Sequence, residues 1–247
     1  MIEKKEIHPS LKQWAIGSLF KRNEKALVVM SGGQDSTTCL GVALKQHNEV
    51  HAIGFDYGQK HAVELEAAAH ICKQYDVPFT VVKVPSLANM KSSALVNHGD
   101  VSKPHEILKD VPASFVPARN AMFLTMSWGY ALENDIKHLY TGVCQTDYSG
   151  YPDCRQDFIV LMEAALRTGY TKNLSIHTPL MFLDKAQTFL LAEEVGILLS
   201  VIKDSHTCYN GDHKTRHEWG HGCGECPACE LREKGYNEYL ERFKTNE

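Results

Sequence analysis

Five aliphatic or β-branched runs alternate with helix-length segments between residues 25 and 195, and this alternation restricts the possible folds more than any other feature. The strand-like runs are KALVVM (25–30), EVHAIGFDY (49–57), FTVVKVP (79–85), HLYTGVC (138–144) and LSIHTP (174–179). Helix-like runs lie at 37–46, 60–75, 120–133, 155–168 and 184–195. Ala26, Leu27, Val28 and Val29 are apolar without alternation, so this strand needs cover on both faces, as in a parallel sheet. The spacing predicts an α/β fold with a doubly wound, mostly parallel sheet. Ligands of such sheets sit beyond the carboxyl ends of the strands, so the loops after 30, 57 and 144 should converge.

The 247 residues divide by composition into an N-terminal extension (1–24), a main domain (25–203) and a small appendage (204–247) rich in Cys, His and Gly. Ser86 to Ala118 interrupts the rhythm with Ser, Asn, His, Lys and Pro; a loop of that length is expected to cover a ligand. ELREKGYNEYLERF (230–243) reads as a closing amphipathic helix. The net charge of -4 argues against a nucleic-acid partner. MIEKKEIHPSLKQW has no apolar leader region, and no apolar stretch is long enough to span a bilayer. A cytoplasmic protein with no membrane partner is expected, assembled as a homodimer.

The first strand runs directly into SGGQDSTTCL. Two adjacent glycines allow a tight turn and let backbone N–H groups approach an anion without a Cβ between them. Met30, Ser31, Gly32, Gly33, Gln34, Asp35, Ser36, Thr37, Thr38, Cys39 and Leu40 form the candidate nucleotide site, at a helix N-terminus where phosphates bind. The Ser and Thr hydroxyls add donors, and Asp35 among phosphates would bring Mg²⁺. The competing reading is a turn with Ser and Asp helix caps. No Gly-Lys-Ser/Thr follows, so this is not a P-loop, nor is it GxGxxG. At the second strand end, Asp56 and Tyr57 could border a nucleoside, and Lys60 could reach the phosphates.

Eight cysteines in a reducing compartment need a role other than disulfides. Cys39 and Cys72 read as buried thiols. Cys208, Cys223, Cys226 and Cys229 have the spacing of a tetrahedral zinc site with four thiolates, closed to substrate and so structural. His206, His213, His217 and His221 are rival ligands, and an iron–sulfur cluster is the rival centre.

SGGQDS resembles the signature of the PP-loop pyrophosphatases, which split ATP into AMP and pyrophosphate. FVPARN (115–120), TGVCQTDYSGYPDCR (141–155), IHTPLMFLDKAQT (176–188), TCYNG (207–211) and GCGECPACELR (222–232) extend this to a resemblance to the 7-cyano-7-deazaguanine synthase family, covering Lys25 to the C-terminal helix. The chain departs from that pattern in a longer Cys208–Cys223 segment and a longer N-terminal extension.

The resemblance implies that ATP adenylates the carboxylate of a deazapurine acid and free ammonia displaces AMP. A second ATP would then adenylate the amide to give the nitrile. Within it, Arg119 and Asn120 are candidates for the substrate carboxylate or AMP phosphate, Arg119 because its planar fork matches both. Asp147 and Asp153 could accept from the base's N–H groups, Tyr148 or Tyr151 could stack on it, and Arg155 could meet a phosphate. Lys185 would neutralise pyrophosphate, so Asp35, Lys185 and Arg119 are the candidate catalytic set. Cys144 and Cys154 leave a covalent intermediate open. Two alternatives stand beside this: a PP-loop tRNA-thiolating enzyme, and a non-catalytic nucleotide-binding module.

Overall fold

A computed structural model of the chain describes residues 8–15, 21–58, 63–89, 92–97, 99–100, 103, 105, 107–146, 150–170 and 173–244. In chain order the elements begin with α1 (Pro9–Ala15), β1 (Ala26–Val29), α2 (Gln34–Gln46), β2 (Val50–Asp56), α3 (Val63–Gln74) and β3 (Phe79–Lys83). A short α4 (Ala94–Asn97) leads to α5 (Arg119–Glu133), β4 (His138–Tyr140), α6 (Gln156–Gly169) and β5 (Ser175–His177). The chain ends with α7 (Lys185–Glu194), α8 (Leu198–Lys203), β6 (Arg216–His217), β7 (Gly220–His221) and α9 (Pro227–Phe243).

The five long-range strands pair in the order β3-β2-β1-β4-β5, all parallel, as the alternation predicts. β1 is central, with Ala26 in register with Val50 on one side and His138 on the other. Its alternate side chains feed two cores. Ala26 and Val28 pack with α2, α3, α7 and α9; Leu27 packs with α5, α6 and Ile53. Leu27, Ile53 and Leu139 have no exposed surface, and each such side chain contributes about 1.5–3 kcal/mol on burial. Strand order reverses between β1 and β4, which places the ligand crevice beyond the carboxyl ends of those two strands.

Several boundaries differ from the sequence expectation. α2 starts at Gln34, three residues early, because Gly33 caps it in an extended conformation (φ -81°, ψ 172°) and the Thr37 amide reaches the Gly33 carbonyl. The Thr37 and Thr38 hydroxyls donate to the carbonyls four residues back, at 2.8 and 2.9 Å, which accommodates them inside the helix. α9 starts at Pro227, with proline where its missing N–H costs nothing.

The described part of 86–118 is packed rather than a plain loop. Leu87, Val96, His105 and Val116 are buried, and Ala94 and Ala113 are tied by a backbone bond of 2.7 Å. The segment between Cys208 and Cys223 forms the β6–β7 antiparallel ribbon. No helix among the described residues is long and apolar enough to cross a membrane.

Candidate active site and metal centre

The turn after β1 is set by two glycines with different tasks. Gly32 has φ +86°, a conformation that a side chain strains, and a Cβ there would run into the Glu64 carbonyl in the first turn of α3. Gly33 has an ordinary φ, and a Cβ there would meet only ordinary contacts at 3.5 Å, so its use is to expose the helix N-terminus. Ser31 and Ser36 brace the turn through hydroxyls 3.1 Å apart. His206 closes it from the other side, its amide donating to the Gly32 carbonyl at 2.8 Å. Gly142, after β4, approaches so closely that a Cβ would lie 3.0–3.1 Å from Asp35 and Ser36.

A cavity of about 300 Å³ opens at this point, bounded by the loop after β1, the ends of β2 and β4, and the N-termini of α3, α5 and α9. On its floor the Lys185 ammonium donates to both Asp35 oxygens at 2.8 Å. One wall is aromatic: Phe55 and Phe123 stack with centroids 4.2 Å apart and planes 7° from parallel, and Tyr57 lies against Phe123. Such a wall suits a planar heterocycle.

Arg119 stands beside it, bonded to the Tyr57 hydroxyl and 5.7 Å from the Tyr151 ring. Burial opposes its charge, but Tyr57, Tyr151 and Asp153 outweigh that and raise its pKa above the ordinary value. Opposite, Glu64 makes no hydrogen bond or ion pair among the described residues. Burial pushes its carboxyl up to about 7, against the pull of Arg119 and with a further push from Cys208.

Arg232 of α9 completes the cavity. It is 1% exposed and donates to the carbonyls of Trp219 and Val201 and to the Thr207 hydroxyl. Burial pulls its pKa down to about 10.

Among the predicted site residues, Met30, Ser31, Gly33, Gln34, Asp35, Ser36, Arg119, Asn120, Tyr151 and Lys185 share this cavity. Gly32 shapes the turn beneath it. Thr37, Thr38, Cys39 and Leu40 are fully buried and lie outside the lining, because the early start of α2 turns them into the core. Asp56 accepts from the Gly58 amide at 3.3 Å and lies outside the lining too; Tyr57 beside it faces in. Asp153 is engaged with Asn120, through the amide at 3.3 Å and the side chain at 3.0 Å, and so holds the N-terminus of α5. Arg155 is exposed before α6. Lys60, Asp147 and Tyr148 lie outside the described residues.

The lining thiols are poor nucleophiles as placed. Burial pushes Cys154 up to about 12, and Cys144 donates to the Leu183 carbonyl. Sequence reasoning missed Phe55, Glu64, Phe123, Tyr209 and Arg232; the last two stand in TCYNG and GCGECPACELR, whose cysteines drew the attention instead.

The four cysteines converge. The sulfurs of Cys208, Cys223, Cys226 and Cys229 all lie within 4.8 Å of one another, three of the residues buried under Trp219 and Ala228. Tetrahedral zinc with bonds of about 2.3 Å sets sulfurs about 3.8 Å apart, so the donor set fits. Backbone amides of Cys223 and Glu225 point at the sulfurs of Cys208 and Cys223, at 3.5 Å each, which favours thiolates. Of the rival histidines, His217 bonds the Gly222 carbonyl and stacks on Trp219, His206 bonds the Cys208 carbonyl, and His213 stacks on His221; none joins the sulfur cluster among the described residues.

The sequence profile of the family described as Queuosine biosynthesis protein QueC matches residues 25–240. The 7-cyano-7-deazaguanine synthase of Wolinella succinogenes is 48% identical over 216 residues, covering 87% of this chain and 93% of that protein. That of Helicobacter pylori strain Shi470 is 47% identical over 218 residues, covering 87% and 96%. That of Staphylococcus haemolyticus is 45% identical over 224 residues, covering 90% and 96%.

Proposed function

The chain belongs to the QueC family of queuosine biosynthesis proteins, and on that premise we propose a residue-level account of the synthase reaction in its cavity. The enzyme is an ATP-dependent nitrile-forming synthase. It converts 7-carboxy-7-deazaguanine to 7-cyano-7-deazaguanine through an adenylated acid and an adenylated amide, releasing AMP and pyrophosphate, with ammonia as nitrogen source.

The observation that carries this account is the opening of the SGGQDS turn and the N-terminus of α2 into the same cavity as Arg119 and the Phe55–Phe123 wall. The amides of Gly33 and the first turn of α2 receive phosphate. Arg119 holds the substrate carboxylate in the bidentate manner its guanidinium favours. The heterocycle lies on the aromatic wall. Carboxylate oxygen is a poor leaving group; transfer of AMP to it makes a good one, and the carbonyl carbon becomes open to nitrogen. Repetition on the amide oxygen, followed by loss of AMP and of the remaining N–H protons, leaves the nitrile.

Asp35 is the residue that would hold Mg²⁺, which would neutralise phosphate charge, and Lys185 would then turn from Asp35 to the pyrophosphate. Cys208, Cys223, Cys226 and Cys229 would hold zinc, which would fix the appendage against the main sheet. Exposed Val160 and Leu161 on α6 support a homodimer, to be checked by light scattering. Mass spectrometry of products from ATP, ammonium and the carboxylated deazaguanine tests the reaction. Nitrile with AMP and pyrophosphate is expected; ADP and orthophosphate would overturn the cleavage site.

A further inference from the structure

Two carboxylates line the cavity among the described residues, Asp35 and Glu64. Asp35 is chelated by Lys185. Glu64 is half-buried on α3, feels the opposite charge of Arg119, and accepts no hydrogen bond among the described residues. A half-buried carboxylate that faces a cavity and meets no donor among the described residues is open to a ligand with N–H groups or positive charge.

The position is fixed rather than incidental. The first turn of α3 is wedged against Gly32, whose missing Cβ leaves room only for the Glu64 carbonyl. Glu64 is thereby held at the nucleotide turn and opposite the Arg119 guanidinium assigned above to the substrate carboxylate.

We propose that Glu64 is the ammonium site and the base that activates it, an inference that rests on the synthase reading above. Near neutral pH the nitrogen source is almost entirely NH₄⁺, which has no lone pair to attack with. Glu64 binds the cation and takes one proton, giving ammonia and a carboxylic acid. The nitrogen lone pair forms the C–N bond at the acyl-adenylate carbon. The C–O bond to AMP breaks, its electron pair leaves on the phosphate, and the adduct's surplus proton goes to water. Glu64 returns its proton to water before the next turnover.

The groups facing Glu64 suit the exchange. Burial and Cys208 in the appendage favour the neutral acid while Arg119 on α5 draws its proton off, and Glu64 in turn helps keep the Tyr57 and Tyr209 phenols protonated. Its raised affinity for a proton, near the working pH, is what a base of this kind needs.

The test uses the full chain carrying Glu64→Gln, with hydroxylamine as a second nucleophile because it is uncharged at neutral pH and needs no base. ATP–pyrophosphate exchange without nitrogen source reports adenylation separately and shows that the variant is folded. The expected result is a fall of about 100-fold or more in kcat/KM for ammonium. Hydroxamate formation, exchange and KM for the acid should stay within about threefold of wild type, on the reading that the carboxylate serves only this proton transfer. Equal losses with both nucleophiles would overturn the proposal. So would a rise in KM for the acid alone, which would place the carboxylate on the N–H edge of the base. Wild-type protein that makes neither amide nor nitrile would overturn the underlying reaction, and the proposal with it.

Discussion

Replacing Gly32 and Gly33 in turn by alanine should separate the two tasks of the SGGQDS turn. Gly32 sits at φ +86°, where a Cβ costs about 1–2 kcal/mol in backbone strain alone. That Cβ would also overlap the Glu64 carbonyl and crowd the Ala68 amide at 2.8 Å, both backbone atoms of a helix that cannot rotate away. Shifting the first turn of α3 to relieve this adds about 1–3 kcal/mol, the usual cost of overpacking. Gly32→Ala should therefore lose about 3 kcal/mol. Gly33 has φ -81° and its nearest prospective neighbour at 3.5 Å, so Gly33→Ala loses only the cap preference, about 1 kcal/mol or less. Urea unfolding followed by circular dichroism checks the pair. With m of about 1–3 kcal/mol/M, the Gly32→Ala midpoint should fall by about 1 M or more. If Gly32→Ala matches wild type, or the two variants fall equally, the assigned contact between the turn and α3 is wrong.

Asp35→Ala should abolish pyrophosphate release, with a loss of about 100-fold or more in kcat, while far-ultraviolet circular dichroism stays native; unchanged turnover would remove Asp35 from the mechanism. Purified protein should contain one zinc per chain, and Cys226→Ala should lose it together with thermal stability. Iron with visible absorption, or full zinc in Cys208→Ala, would refute the four-cysteine set. Stability should also fall with acid because burial depresses His177 to about 3 and His47 to about 4. Below an unfolded pKa of about 6.5 the unfolded chain takes up protons that the folded chain refuses. Stability is thus full above that pH and is lost as pH falls toward 4, by about 1.4 kcal/mol per pH unit for each histidine. The raised Glu64 works in the opposite sense over its own range, so the measurement is the difference between wild type and His177→Gln at pH 7 and pH 5. An equal slope in both would refute it.

The sheet and the glycine turn after its first strand were legible in the sequence because both are local. A buried parallel strand needs an unbroken apolar run, and a phosphate turn needs glycines beside a helix start; KALVVM and SGGQDS write these consecutively. The four-cysteine spacing is local in the same sense. The places of the neighbouring histidines were decided only by folding, because the β6–β7 ribbon turns His217 onto Trp219 and the Gly222 carbonyl. Thr38, Cys39 and Leu40 sit next to the turn in sequence yet face the core, since α2 begins at Gln34 and its rotation decides which side each residue takes. The bonds of Asp153 to Asn120, made as α5 approaches, join residues 33 apart and could not be read from either stretch alone. Glu64 and Arg232 are 168 residues apart, in helices whose sequences do not mark the two as neighbours, and reach one cavity because the fold brings those helix ends to the same edge of the sheet. Local chemistry writes itself into neighbouring residues; the partners that complete a site are chosen by packing, which no short stretch of chain contains.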